Sequence, residues 1–135
     1  MPSLKDLVCS VELADGQALQ EHMSTYGDGL VETFIAVPDN PGPFSIRLTS
    51  INYIAEGLAM YVFIDGVYQC NRNRVGLVDR SKRGKPLDKR ALVDFRVRQK
   101  EEKQRDGSTV ARGWQFEKLN IGKTPLTINP FRMFD

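Results

Sequence analysis

Apolar and polar residues alternate with a period of two along much of this chain. In residues 44–50, Phe44, Ile46 and Leu48 fall on one side and Ser45, Arg47 and Thr49 on the other. That is the pattern of an antiparallel strand with one buried face. Comparable β-rich runs span residues 4–13, 30–38, 58–64, 67–72, 92–103 and 109–121. No segment carries a sustained 3.6-residue apolar period, and residues 17–23 predict one short helical turn. Asp-Gly dipeptides at 15–16, 28–29, 65–66 and 106–107 punctuate the runs. Asp-Gly tolerates the positive φ angles that tight hairpins require.

Two hairpins can be drawn in register from the sequence. The run from Ala59 to Ile64 is apolar on both faces, which predicts a central strand covered on both sides. A two-residue turn at Asp65-Gly66 sets Ile64 opposite Val67, Phe63 opposite Tyr68 and Tyr61 opposite Cys70. A second two-residue turn at Asp106-Gly107 sets Arg105 opposite Ser108, Glu101 opposite Arg112, Val97 opposite Phe116 and Arg96 opposite Glu117. A one-residue bulge near 116–118 would then return Leu119 and Ile121 to the apolar face. Short antiparallel strands separated by Gly/Pro turns predict an all-β chain. The expected form is an antiparallel, jelly-roll-like β-sandwich of about seven to eight strands over residues 1–121. Residues 122–135 follow as an extended apolar tail. Its Leu126, Ile128, Phe131, Met133 and Phe134 are too many large apolar residues to remain solvated, so docking on the domain or on a partner is expected.

Length sets a bound: 135 residues suffice for one domain with a real core. No stretch approaches the ~20 apolar residues of a membrane span. The first fifteen residues lack a basic segment, an apolar run and a cleavage site. An intracellular protein, cytoplasmic or nuclear, is expected. Charge changes the picture further. Residues 1–71 hold 2 Lys/Arg against 9 Asp/Glu, residues 72–105 hold 13 against 5, and the last thirty hold 4 against 3, for a net +2. Arg72, Arg74, Arg80, Lys82, Arg83, Lys85, Lys89 and Arg90 all fall within 72–90, a basic loop on an otherwise acidic domain. Lys82-Arg83-Gly84-Lys85 fits a short nuclear-import pattern. The same cations suit phosphate contacts, although no aromatic is interleaved for base stacking.

Tyr26-Gly27-Asp28-Gly29, the run from Phe44 to Leu48, residues 57–70, Phe95-Arg96-Val97 and Trp114-Gln115-Phe116 together resemble a family of fungal proteins, catalogued as domain of unknown function 7918. The run from Phe63 to Tyr68 is the best match, and the resemblance covers most of residues 4–121. It implies a fungal source and a β-rich fold. The family brings no assigned activity and no catalytic residues to carry over.

The chemistry of the side chains points away from catalysis. His22, the single histidine, reads as an exposed residue without an orienting acid and a nucleophile. Cys9 and Cys70 lie on separate strands and read as small buried hydrophobes, with a disulfide between them left geometrically open. Two cysteines and one histidine do not make a four-ligand structural zinc site. Asp28, Asp65 and Asp106 are accounted for by their turns. Gly122-Lys123-Thr124 lacks the upstream glycine of a phosphate loop.

The expected function is a non-enzymatic protein–protein interaction module that also associates with itself, with no cofactor, metal or small-molecule substrate and no membrane partner. The candidate contacts are Arg72, Arg74, Lys82, Arg83, Lys85, Lys89 and Arg90 on the basic side, and Phe131, Met133 and Phe134 on the apolar side. The alternative is a chromatin- or RNA-associated protein that binds nucleic acid through the same basic loop.

Overall fold

The computed structural model describes residues 3–78, 92–117 and 131–134, the last four through their backbone. These residues hold no helix. They form β1 (Ser3–Leu4), β2 (Leu7–Leu13), β3 (Glu21–Gly27), β4 (Leu30–Ile35), β5 (Gly42–Ser50), β6 (Leu58–Ile64), β7 (Val67–Arg74), β8 (Asp94–Val97), β9 (Gln99–Lys103), β10 (Thr109–Gly113), β11 (Gln115–Phe116) and β12 (Phe131–Phe134). Every pairing is antiparallel, so the chain is all-β.

β5 is the spine of the main sheet. One edge pairs with β2 from Leu7↔Ser50 to Leu13↔Phe44. β1 folds onto β2 through Lys5-Asp6, whose φ angles of 46° and 65° are those of a two-residue type I′ turn. The other edge of β5 pairs with β8, from Thr49↔Asp94 to Ile46↔Val97, and then with β11, through Pro43↔Gln115 and Gly42↔Phe116. The alternation read in residues 44–50 is realised. Ile46 and Leu48 are buried with Cys9, Phe95 and Val97, while Arg47 bonds Asp94 on the opposite face.

β8 and β11 therefore share one edge of β5, and the β9–β10 ribbon projects from between them. The Trp114 N–H donates to the Arg98 carbonyl at 2.9 Å, closing the base of the ribbon, and the Phe44 N–H donates to the Trp114 carbonyl at 3.2 Å. This corrects the predicted continuous hairpin. Val97 and Phe116 do not face each other but lie opposite Ile46 and Gly42. The bulge expected near 116–118 falls partly on residues outside the described set.

The register of that hairpin is also corrected by one residue: Arg112 pairs with Lys100, and Ala111 with Glu101. The cause is a three-residue loop at 105–107. The Gly107 N–H donates to the Gln104 carbonyl at 3.1 Å, and the Gln104 N–H to the Ser108 carbonyl at 2.7 Å. Gly107 has a φ of 88°, the left-handed third position that this loop type requires. Asp106 Oδ1 accepts the Ser108 N–H at 2.8 Å. Asp15-Gly16 repeats the device, with the Gln17 N–H on Asp15 Oδ1 at 2.8 Å and a Gly16 φ of 85°.

β6 and β7 form a two-stranded ribbon laid across the buried face of the main sheet. Val62 and Cys70 join Cys9, Ile46, Leu48, Val93, Phe95, Val97 and Trp114 in one core cluster, with Leu58, Met60 and Ile64 packed against it. Each fully buried side chain of this size contributes roughly 1.5–3 kcal/mol by leaving water. The expectation that β6 is covered on both sides fails, because β6 pairs only with β7 among the described residues and its outer face is exposed. The turn at Asp65-Gly66 is as read, with both φ angles positive at 52° and 78°. A bulge then shifts the register, so that Cys70 pairs with Val62 and Asn71 with Tyr61.

β3 and β4 form the second hairpin, which β12 extends on the far side of β4. The helical turn expected at 17–23 is replaced by extended chain. Ala18 bridges to Glu12, the Leu19 N–H donates to the Val11 carbonyl at 2.8 Å, and β3 begins at Glu21. Met23 has a φ of 51°, within an irregularity between His22 and Thr25. Beside it the Ser24 and Thr33 hydroxyls share a hydrogen bond of 2.7 Å.

Candidate interaction surface

Residues 58, 60, 62 and 64 of β6 point to the core, so residues 59, 61 and 63 point outward. Tyr61 is 62% exposed and Phe63 59%. Across the turn Val67 and Tyr68 are also exposed. Phe63 and Tyr68 meet edge to face with centroids 5.6 Å apart, and Asn71 Nδ2 donates to the Tyr68 hydroxyl at 2.6 Å. Tyr61, Phe63, Tyr68 and Asn71 thus form an uncharged, aromatic patch on the outer face of the ribbon, whereas Val67, opposite Ile64, lies at its turn end on the inner side.

Packing beneath holds the patch in place. Gln69 is the extra residue of the bulge, so Gln69 and Cys70 both turn inward and are buried. Gln69 Oε1 accepts the Trp114 indole N–H at 3.1 Å. Trp114 stacks on Phe44, which stacks in turn on Phe116 at 4.3 Å. At the open end of the ribbon the Leu77 N–H donates to the Glu56 carbonyl at 2.9 Å.

The sequence reading missed Tyr61, Phe63 and Tyr68 as surface residues because an apolar run reads as doubly buried. The available signal was in β7. Once the bulge is placed, the outer positions of that strand are Asn71 and Asn73, which face water.

Arg72 and Arg74 are both engaged within the molecule. Arg72 Nη2 bonds Glu101 Oε1 of the β9–β10 ribbon. Arg74 places its guanidinium 4.2 Å from the centroid of the Phe95 ring, a cation–π contact. Lys82, Arg83, Lys85, Lys89 and Arg90 lie outside the described residues. Phe131, Met133 and Phe134 belong to β12, whose backbone pairs with β4.

The polar face of the main sheet carries an ion cluster. Arg47 grips Asp94 through both Nε and Nη2, at 3.0 and 2.9 Å. Arg96 Nε donates to Glu12 Oε2 at 2.8 Å, and Arg47 Nη1 lies 3.6 Å from Glu12 Oε1. Glu12 is buried, and both of its carboxyl oxygens lie against a guanidinium group. The hydrogen bond from Arg47 holds the Asp94 carboxyl below its usual range. The pairings drawn from the sequence are thus replaced: Arg96 bonds Glu12 rather than Glu117. Glu101 bonds Arg72 rather than Arg112, and Arg112 lies 3.5 Å from Glu102.

His22 is exposed on β3. Its carbonyl oxygen accepts a 3.4 Å hydrogen bond from Thr33 Oγ1. Cys9 and Cys70 are free and buried. Burial, reinforced by the Glu21 charge, pushes the Cys9 thiol up to about 12, and burial also raises that of Cys70. Neither is an activated nucleophile. Among the described residues no three His, Cys, Asp or Glu side chains converge as a metal site, and no helix is long and apolar enough to cross a membrane. The chain matches no family model, no curated protein and no solved structure.

Proposed function

We propose that this chain is a non-enzymatic protein–protein interaction module, self-association included, and that the outer face of the β6–β7 ribbon is its main contact surface. The observation that carries the reading is the exposure of Tyr61, Phe63 and Tyr68 together on one face. Buried aromatic anchors dominate protein interfaces, and an exposed cluster on a rigid ribbon is already ordered for binding. The raised Cys9 and Cys70 thiols and the isolated His22 agree with a non-enzymatic role. The fungal-family resemblance belongs to the same proposal and adds no activity to it. The nucleic-acid alternative rests on Lys82, Arg83, Lys85, Lys89 and Arg90, since Arg72 and Arg74 are committed to Glu101 and Phe95.

The test is the double variant Tyr61→Ser, Phe63→Ser. It should keep the thermal midpoint of the parent, because both side chains face water, and should lose the proteins that the parent captures from its native cell. Equal recovery by the two chains overturns the assignment of this face.

A further inference from the structure

β6 is an edge strand: among the described residues only β7 pairs with it. The two-residue turn at Asp65-Gly66 makes Ile64↔Val67 the hydrogen-bonded pair that closes the hairpin. Backbone groups alternate along a strand. Residues 60, 62 and 64 therefore aim their N–H and C=O groups at β7, and Ala59, Tyr61 and Phe63 aim theirs along the other edge. Proteins blunt open edges with charge, proline, bulges or shortness. β3 is broken by the irregularity between His22 and Thr25, β10 carries Arg112, and β1 has two residues. β6 has none of these devices. Its seven residues hold no charge and no proline, and the extra residue of the β6–β7 bulge sits on β7. Its core-facing Leu58, Met60 and Ile64 are only half-buried, so a strand along this edge would complete their cover.

The occupant of such an edge must be apolar on both faces. β2 and β4 each carry a Glu, β5 an Arg and β7 two Arg. Of the described strands, β6 itself matches best. Laid antiparallel on a second copy about a two-fold axis at Tyr61, it sets Tyr61 opposite its counterpart, Ala59 opposite Phe63, Met60 opposite Val62 and Leu58 opposite Ile64. All three edge-facing residues then meet edge-facing partners, whereas a slip of two residues leaves one outside. The small Ala59 lies opposite the bulky Phe63, and each face of the strand continues the same face of its copy. On its other side the ribbon lies beside β9, tied by Arg72 to Glu101, so the pairing closes after two ribbons.

We propose that the free edge of β6 pairs with β6 of a second copy of this chain, giving a two-fold dimer with a continuous sheet in the order β7–β6–β6–β7. This rests on the self-association in the function proposed above and gives it a partner and a register. It also joins two aromatic patches into one larger face.

The test is cross-linking of full-length cysteine variants at exposed positions. Directly opposed residues of a hydrogen-bonded pair have Cα atoms about 5.5 Å apart, within reach of a disulfide. Tyr61→Cys, oxidised gently, should therefore give a covalent dimer by itself. Ala59→Cys and Phe63→Cys should each stay single, because like positions then lie more than about 13 Å apart, and their equimolar mixture should give a covalent heterodimer. By light scattering the parent should reach twice the monomer mass as concentration rises. Tyr61→Lys, which sets two cations face to face at the axis, should remain a monomer with its strand content intact by circular dichroism. A parent that stays a monomer up to about 1 mM overturns the proposal. So does cross-linking of Ala59→Cys or Phe63→Cys alone as readily as of their mixture. A monomeric parent that captures another protein and loses it on Tyr61→Lys gives the edge to a foreign strand, and overturns the second copy as occupant while the aromatic face stands. Equal capture by the parent and the Tyr61→Ser, Phe63→Ser variant instead removes that face as a site for other proteins and leaves the cross-links to decide the dimer.

Discussion

Trp114 donates its indole N–H to the side-chain oxygen of Gln69 across 3.1 Å, joining the bulge of β7 to the edge of the main sheet. Both residues are buried. The Gln69 amide nitrogen is used as well, donating to the Val67 carbonyl at 3.1 Å. A buried polar group that loses its partner costs about 1–3 kcal/mol. Gln69→Leu strands the indole N–H, and Trp114→Phe strands the amide oxygen and also empties space in the core. Each single variant should lower stability by at least that amount in urea titrations. The double variant should be less damaged than the sum of the two, with a coupling of roughly 0.5–3 kcal/mol. Strict additivity would show that the bond does not link the two layers.

The same pair marks where sequence reading succeeds and where it stops. The strands from 44 to 50 and from 58 to 64 and the turn at Asp65-Gly66 follow from local pattern, because alternation and positive-φ turn residues are local properties. The inward turn of Gln69 is not local. It exists because Trp114, 45 residues away in sequence, offers a donor. The Asp106-Gly107 loop shows a second limit. Asp-Gly serves a two-residue turn, in which both residues take positive φ, and also a three-residue loop, in which Asp captures the N–H two positions on. Sequence pairs of opposite charge favoured the first, and the hydrogen bond from Ser108 to Asp106 selects the second. The exposed aromatic face was hidden for a third reason: an apolar run does not say whether anything packs on the outer face of its strand.

The Arg47–Asp94 pair predicts a pH dependence. The hydrogen bond from Arg47 lowers the folded value of Asp94 below its ordinary 3.8. A depressed carboxylate contributes stability that is fully present above its unfolded value and is lost as pH falls through its folded value. Asp94→Asn should therefore be less stable than the parent at about pH 7, and the gap should close toward about pH 2–3. Asp94 is half exposed, so added salt should shrink the gap as well. Denaturant midpoints at the two pH values check this; a gap that widens in acid contradicts it.

Cys9 and Cys70 should resist thiol reagents in the folded protein. A thiol pushed up to about 12 has almost no thiolate at about pH 8, whereas an unfolded cysteine near ~8.5 has a substantial fraction. Burial blocks access in addition. Labelling should follow opening of the core, so a destabilising change such as Gln69→Leu should accelerate both sites together. Prompt labelling of either cysteine in the native protein would show that the β6–β7 ribbon does not cover it.

The ribbon's open end supplies a prediction whose sign depends on position. A Cβ built on Gly57 would lie 2.9 Å from the carbonyl oxygen of Arg74, a backbone atom, whereas a Cβ on Gly42 meets nothing within 4 Å. Neither glycine has a positive φ, so backbone conformation does not forbid alanine at either place. Gly57→Ala must push β6 away from the end of β7, and overpacking of this kind costs about 1–3 kcal/mol. Arg74 sits over Phe95, so the displacement should also disturb that cation–π contact and, through it, the core beneath. Gly42→Ala should instead stabilise by about 0.4–1 kcal/mol, because it narrows the unfolded ensemble without a clash. Thermal melts of the two variants beside the parent separate these effects. A Gly57→Ala chain as stable as the parent would mean that the ribbon end can open at no cost, and that the aromatic face above it is less rigidly held than its packing implies.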